Sequence, residues 1–332
     1  MLFLLFCFEN RLTKSFFNFI IDYEEKPIMA ERGVFMKDIQ FYANLHMHST
    51  HSDGVYTPAE LVKVAKKEGY KALAITDHDT ATAYPELVRA CKEEGMECIF
   101  GVEFCVSQPH GYHILGFNFD PEYPPMKEYL QKMGARETHR TKCCFDEAVA
   151  KGDITGITWE EVLEFNKDII WLCNDHIYRL LVAKGLAKMC DYDAWFMKNF
   201  AEQRDKYPRL YEPLHLRDLV KLIKEAGGIV LVAHPHGLIN EIVDICTEYN
   251  IDGFEVFNPD LTPDEQEAFY KVALEHGYYI SGGSDHSGLC GGLYGTFRTE
   301  EELKKSEYYI PEMSAGTTKE YYEELKNMKI ER

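Results

Sequence analysis

The stretch QFYANLHMHSTHSDGVYTPAELVKVAKKEGYKALAITDHD, residues 40–79, contains a β-rich run, a helical segment and a second β-rich run. The two runs, QFYANLHMH (40–48) and KALAITDHD (71–79), end in histidine and aspartate side chains. The segment between them opens with Thr-Pro and ends at a glycine, which is how helices begin and stop. This order predicts two parallel strands joined by a helical crossover.

The same alternation continues along the chain. Five further candidate strands are MECIFGVEF (96–104), YHILGFNF (112–119), GIVLVAHPH (228–236), DGFEVF (252–257) and YYISGGSDH (278–286). The segment TPDEQEAFYKVALEHG (262–277) repeats the Thr-Pro opening and the glycine end. Strands that alternate with helices predict an α/β fold built on a parallel sheet or a barrel.

Residues from about 125 to 215 break this alternation, because helical stretches follow one another there without a convincing strand. An inserted helical subdomain is therefore expected. The predicted parts are a dispensable N-terminal extension (1–35), a first barrel part (36–124), the helical insertion (125–215), a second barrel part (216–300) and a C-terminal segment (301–332).

Composition limits the class of protein. A chain of 332 residues with 45% hydrophobic content can bury a large core. Its formal net charge of −19 would repel a long nucleic-acid duplex, whereas small phosphorylated molecules remain possible partners. The ten cysteines contain no Cys-x-x-Cys pair, which favours a reducing cytoplasm. No apolar run is long enough to span a bilayer, and the oligomeric state stays open.

Side chains that can bind metal recur where the candidate strands end or begin. They are His46, His48, Asp77, His78, Glu103, His113, His234, His236, Asp285 and His286. In a β/α barrel the carboxyl ends of the strands converge on one face, so residues far apart in sequence meet there. The sequence therefore predicts a metal site on that face.

Each of these residues also has a simpler explanation. His113, between Tyr112 and Ile114, could be a hydrogen-bonded core histidine, and Asp77 could cap the next helix. The pair His46 and His48 is more informative, because alternate residues on a strand point the same way and two imidazoles can reach one ion. A carboxylate such as Glu103 can bridge two ions, which makes a multinuclear site plausible.

Six motifs in this order resemble the polymerase and histidinol phosphatase (PHP) family of metal-dependent phosphoesterases. They are HMHSTHSDG, ITDHD, GVEF, YHILGF, VAHPHG and GGSDHSG. The helical insertion between YHILGF and VAHPHG is similar to that of the nucleotide phosphatase and exoribonuclease branch. The resemblance implies a distorted seven-stranded (β/α) barrel that binds two or three divalent ions, with manganese, iron or zinc as candidates.

The resemblance also implies a ligand set. One ion is expected on His46, His48, Glu103 and Asp285, a second on Glu103, His113 and His234, and a third on Asp53, His78 and one further histidine. Glu103, Asp285 and His234 form the expected catalytic centre, where a metal-bound hydroxide attacks phosphorus.

The further histidine of the third group is where this chain departs from the family. His286 follows Asp285 directly, and adjacent side chains on a regular strand point to opposite faces. The glycines that follow permit a sharp turn, so we expect His286 to complete the third group, with His236 as the reserve candidate.

Substrate contacts are expected from the insertion. Arg136 and Arg140 are spaced i, i+4 on one helix and can hold a phosphate, although an ordinary solvated helix face is the alternative. The family has Arg-Pro-His before a later helix, whereas this chain has Asn174-Asp175-His176, so His176 is present and the arginine is not. His236 is the other candidate for substrate contact.

The leading hypothesis is a phosphoesterase that acts on a small phosphomonoester, such as a nucleoside bisphosphate, or on an oligonucleotide end. Three alternatives remain: a histidinol-phosphate-type phosphatase, an amidohydrolase, and a metal-binding regulatory module without turnover. An amidohydrolase would require a bridging lysine on a central strand, where this chain has Glu103.

Overall fold

The computed structural model describes residues 39–109, 111–188, 191–201, 203, 206–207, 210–235, 239–285 and 315–328. The expected N-terminal extension (1–35) and two candidate histidines, His236 and His286, lie outside this part of the chain. Among the described helices, none combines the length and the apolar character that a membrane crossing requires.

The described strands and helices alternate through most of the chain. The strands are β1 (Phe41–Asn44), β2 (Ala72–Leu73), β3 (Glu97–Cys98), β4 (Gly101–Cys105), β5 (His113–Phe117), β6 (Ile229–Val232), β7 (Gly253–Phe257), β8 (Tyr279–Gly282) and β9 (Thr317–Thr318). The helices are α1 (Pro58–Glu68), α2 (Tyr84–Glu94), α3 (Pro124–Lys151), α4 (Trp159–Phe165), α5 (Asn174–Ala183), α6 (Tyr192–Phe196), α7 (Leu216–Glu225), α8 (Ile239–Tyr249), α9 (Pro263–His276) and α10 (Lys319–Asn327). A π-helical turn, Met197–Ala201, follows α6.

The described strands form two mixed sheets, so the predicted α/β class is confirmed. One sheet has the order β3-β2-β1-β9, and the other has the order β4-β5-β6-β7-β8. Neighbours are parallel except at β1–β9, β4–β5 and β5–β6. The expectation of a parallel sheet or barrel is therefore wrong at β5, which runs antiparallel to β4 and β6.

The reversal of β5 follows from the length of its connection. Only residues 106–112 separate β4 from β5, and a parallel crossover needs about a dozen residues or more. The chain therefore turns back, and His113 at the start of β5 pairs with Cys105 at the end of β4. Strand β5 runs opposite to its neighbours in the sheet, so it begins beside the points where they end. His113 therefore lies at the same end of the sheet as the last residues of those neighbours.

The two sheets approach each other at both boundaries without closing into one continuous sheet among the described residues. At one boundary the backbone N–H of Leu45 donates to Gly282 O (3.2 Å), and that of Asp285 donates to His46 O (2.9 Å). At the other, the backbone N–H of Glu103 donates to Thr76 O (3.1 Å), and His78 forms a parallel bridge with Glu103. The carboxyl end of β1 thus lies beside that of β8, and the segment after β2 lies beside β4.

The predicted helix after β1 is confirmed, together with the signals that delimit it. Thr57 and Glu60 form a reciprocal capping box at the start of α1, and Pro58 occupies the first turn. The helix ends at Gly69, whose φ of 102° is left-handed. The same capping box, Thr262 with Glu265, begins α9.

Helices follow one another between β5 and β6, and they surround a second apolar cluster. That cluster includes Cys144, Phe145, Val162, Ile177 and Phe200. The 28-residue helix α3 is about 42 Å long, and its first half packs in the main core through Met126, Leu130 and Met133. One helix therefore connects both cores, while the predicted domain boundaries stay predictions.

Candidate metal centre

The candidate ligands lie at one end of the two sheets. His46 and His48 follow β1, His78 follows β2, His234 follows β6 and Asp285 follows β8. His113 reaches the same end because β5 runs the other way. The structure therefore brings together residues that are up to 239 positions apart in sequence, His46 and Asp285.

Glu103 lies at the centre of this group and is completely buried. Its Oε2 is 3.3 Å from His46 Nε2, 3.2 Å from His48 Nε2 and 3.2 Å from His78 Nδ1. Its Oε1 is 2.9 Å from both His113 Nδ1 and His234 Nε2. The two oxygens thus face different histidines, which is the geometry that a bridging carboxylate requires.

The ligand atoms form three groups, each within 4.8 Å. The inner group is His46, His48, Glu103 and Asp285; the middle group is His78, Glu103 and His113; the outer group is His48, Asp53 and His78. Asp285 Oδ1 lies 3.1 Å from His48 Nε2, and Asp53 Oδ1 lies 3.5 Å from His48 Nδ1. His48 therefore presents one ring nitrogen to the inner group and the other to the outer group.

Unpaired buried atoms test whether this donor set fits a metal. Four ligand atoms are buried and make no hydrogen bond: His46 Nε2, His48 Nδ1, His78 Nδ1 and Glu103 Oε2. A buried polar atom without a partner costs about 1–3 kcal/mol, and such atoms are rare in folded proteins. Imidazole and carboxylate donors suit zinc, iron and manganese. The residues fit divalent ions, which would provide the missing partners.

The charge state of Glu103 suits the same role. Burial raises the pKa of its carboxyl group, but His78, His46 and His113 outweigh burial and hold the pKa well below its ordinary value. The carboxylate therefore stays ionised and remains available as a ligand.

Glu255 supports two of the ligands and was missed by the sequence reasoning. It is fully buried in β7, and its Oε2 accepts hydrogen bonds from His46 Nδ1 (3.0 Å) and from the backbone N–H of His234 (2.7 Å). A hydrogen bond at Nδ1 orients the His46 ring and leaves Nε2 for the ion. The available signal was the single charge in the otherwise apolar run GFEVF (253–257), since a buried charge needs partners.

The backbone near the ligands departs from regular strand geometry. β8 ends at Gly282, and Asp285 has a φ of 49°, while His234 has a φ of 28°. Such values are uncommon for residues other than glycine and occur often at functional sites. A Cβ at Gly283 would lie 2.3 Å from the His46 backbone nitrogen, so only glycine permits this close approach. The sequence-based expectation of an irregular strand end at Asp285 is confirmed.

Asp77 organises a loop and belongs to none of the three groups. Its carboxylate accepts hydrogen bonds from Ser49 N (2.7 Å), Ser49 Oγ (2.7 Å) and Ser52 Oγ (2.6 Å). The interpretation of Asp77 as a helix cap is wrong, because Ala83 precedes α2 without any side-chain cap.

The third group was expected to need His286 or His236, which lie outside the described residues. Within the described part of the chain, His48 joins Asp53 and His78 instead. The roles of His286 and His236 therefore stay predictions.

Arg136 and Arg140 do not lie on a solvated face. Arg136 is 9% exposed, and the Arg140 side chain is 11% exposed. Arg140 forms an ion pair with the buried Glu137, and Arg136 Nη1 lies 4.0 Å from the same carboxylate. Phosphate binding by these arginines stays a prediction.

His176 has both ring nitrogens occupied by backbone groups. Nδ1 accepts a hydrogen bond from the Cys173 backbone N–H (3.0 Å), and Nε2 donates to Thr50 O (3.1 Å). The ring is fully buried, so this geometry supports a structural contact with the 49–54 loop and gives no support to direct substrate binding.

Comparison with known proteins gives a consistent result. The profile of the PHP domain family matches residues 44–330. The chain is 30% identical over 255 residues to a 5'-3' exoribonuclease of Haemophilus influenzae, a match that covers 75% of this chain and 90% of the relative. It is 29% identical over 249 residues to a 3',5'-nucleoside bisphosphate phosphatase of Chromobacterium violaceum, which covers 73% of this chain and 86% of the relative. A solved structure from Bifidobacterium adolescentis, described as a metal-dependent phosphoesterase, has a TM-score of 0.61 at 27% identity and covers 80% of this chain and 96% of its own.

Proposed function

The chain belongs to the PHP domain family and is a metal-dependent phosphoesterase, and we propose that its substrate is a nucleoside bisphosphate or the phosphorylated end of a short RNA. The observation that carries this proposal is Glu103, whose two oxygens face five histidines at the open end of the sheets. The names of the two relatives support the choice of a nucleotide substrate.

The proposal includes two or three divalent ions, with manganese, iron or zinc as candidates. The inner, middle and outer groups would hold them, and His234 lies close enough to Glu103 to join the middle group. When bound, such ions neutralise charge on phosphoryl oxygens and lower the pKa of a bound water.

The residues of this chain would position the reactants. Glu103 keeps its carboxylate ionised between the inner and middle groups, while Glu255 holds the His46 ring in one orientation. Asp285 is 15% exposed, so its carboxylate can accept a hydrogen bond from a water that approaches phosphorus. The outer and middle groups are more open than the inner group, since the Asp53 and His113 side chains are each 31% exposed, and they would mark the side from which a substrate phosphate enters.

We extend the proposal to the fold and the location of the protein. Strands β1, β2 and β4–β8 would act as one distorted seven-stranded barrel, which the hydrogen bonds at both sheet boundaries support. The helices of residues 125–215 would form the inserted subdomain around their own apolar cluster. A cytoplasmic location agrees with the seven described cysteines, all of which are free thiols.

The test is a hydrolysis assay of the purified full chain with each metal in turn. A nucleoside 3',5'-bisphosphate, a 5'-phosphorylated oligoribonucleotide, histidinol phosphate and an amide panel serve as substrates. Release of phosphate from the bisphosphate, or of mononucleotide from the RNA, would support the proposal. Activity on histidinol phosphate or on amides alone would favour the respective alternative, and a metal-loaded chain without turnover would favour the regulatory module.

Substitution of Arg136 tests the proposed phosphate contact. We expect Arg136→Gln to raise KM about tenfold with unchanged metal content, because a charge-assisted hydrogen bond contributes about 1.5–3 kcal/mol. The matched control is Arg217→Gln, an exposed arginine on α7 that pairs with Glu248. If Arg136→Gln shifts only the thermal midpoint and leaves KM at the control value, Arg136 is an ion-pair partner in the core and does not contact substrate.

A further inference from the structure

The outer group depends on a short loop. We call residues 49–54 the Asp53 loop, which follows His48 and supplies the only carboxylate of the outer group as described. Ser49 O accepts hydrogen bonds from the backbone N–H groups of Ser52 and Gly54, both at 3.0 Å. This turn folds Gly54 back onto His48, since a Cβ at Gly54 would lie 2.2 Å from His48 O. The loop therefore has a defined shape that leaves the carbonyls of Thr50 and Gly54 available to other groups.

Helix α5 of the helical region holds those carbonyls. Arg179 donates through Nη1 to Gly54 O and through Nη2 to Thr50 O (3.2 Å). His176 lies one turn earlier on the same helix and also donates to Thr50 O (3.1 Å). Because Gly54 directly follows Asp53, the guanidinium group fixes the backbone next to the ligand.

A second group holds the same loop. Asp77, which follows β2, accepts hydrogen bonds from Ser49 and Ser52 at 2.6–2.7 Å. The Asp53 loop is thus held both by a carboxylate that follows β2 and by a guanidinium of the helical region. Its position depends on both, although the two residues are more than 100 positions apart in sequence.

We propose that Arg179 is a positioning residue for the outer group, so that helix α5 sets the affinity of that group for its ion. The inference rests on the proposed function and adds to it, because it makes the helical region part of one metal site. Arg179 acts through the backbone, since its guanidinium donates to the carbonyl oxygens of Gly54 and Thr50. Loss of the guanidinium should free the loop and weaken the outer group, while the inner group keeps its geometry through Glu255.

The experiment measures manganese bound per chain as a function of free manganese, for the full-length protein and its variants. We expect Arg179→Gln to weaken binding of the last manganese equivalent, the one that binds most weakly, about 10–100-fold. The affinities of the more tightly bound equivalents should not change, as for other residues that orient metal ligands. Lys184→Gln is the matched control, because this lysine at the end of α5 donates to Gly156 O inside the helical region. Asp53→Asn should weaken the same equivalent, and the double variant should show no additional loss, since both changes act on one group.

Several results would overturn the inference. Unchanged affinity for the last equivalent in Arg179→Gln would do so, as would a uniform loss of all equivalents together with a lowered thermal midpoint. If Arg179→Gln does not fold, Arg179→Lys takes its place, and it should shift the last equivalent in the same direction by a smaller factor; no shift contradicts the inference. If the wild-type chain binds ions but hydrolyses no phosphate ester, the proposed function is wrong. The role of Arg179 is tested separately, because the manganese binding curves do not depend on turnover.

Discussion

Glu103→Gln is expected to lower kcat/KM about a thousandfold, which corresponds to about 4 kcal/mol in the activation barrier. Glu103 faces histidines of both the inner and the middle group, so one substitution affects two ions at once. An amide offers one neutral oxygen and an N–H donor in place of two anionic oxygens, and the N–H group cannot bind a cation. Metal content should therefore fall together with the rate.

The control for this variant is Glu97→Gln. Glu97 lies on β3, the strand that precedes β4 in the chain, and pairs with Lys326 at the surface. Its substitution should leave metal content and turnover within the range of the wild type. Near-normal turnover of Glu103→Gln at saturating manganese would show that Glu103 is not the central ligand of the site.

Glu255→Gln is expected to weaken binding in the inner group about 10–100-fold, because it changes the partner that orients a metal-bound histidine. Glu255 Oε2 accepts from His46 Nδ1, His234 N and Asn258 Nδ2, so the carboxylate supports two ligands and part of the loop after β7. A neutral amide weakens these charge-assisted hydrogen bonds. Manganese titration should show weaker inner-group binding, and excess manganese should restore much of the rate.

Glu248→Gln is the matched control, since Glu248 is an exposed residue of α8 that pairs with Arg217 at the surface. If manganese binding in the inner group is unchanged in Glu255→Gln and excess manganese does not restore its rate, Glu255 affects the reaction by a route other than ligand orientation.

The sequence predicted which side chains meet at the candidate site better than it predicted the directions of the strands. Residues such as His46, His78 and Asp285 could be found because each follows a short apolar run, and parallel strands end at one edge. The same reasoning reached His113 at the start of its run, but only the hairpin after β4 explains why that end of β5 belongs to the site. The reversal of β5 follows from its short connection, residues 106–112, a signal in the sequence that hydrophobic periodicity alone does not use.

Residues that orient the ligands were harder to predict. Glu255 and Arg179 act through the backbone or the far side of a ring, so no ligand spacing identifies them. For Asp77 the position in the sequence is misleading. It precedes His78 and resembles a ligand, yet it binds two serines of the Asp53 loop. At a strand end that leaves regular geometry, the direction of each side chain depends on loop contacts that form only after folding.

We propose that the cluster around Glu103 binds the ions on which phosphate-ester hydrolysis by this chain depends. The most direct measurement removes metal from the full chain, returns manganese in known equivalents and records phosphate release from a nucleoside 3',5'-bisphosphate at each step. We expect no turnover without metal and a rise in turnover as the second equivalent binds, because Glu103 belongs to both the inner and the middle group. Full turnover in the metal-free protein, or a maximum reached with a single equivalent, would contradict it.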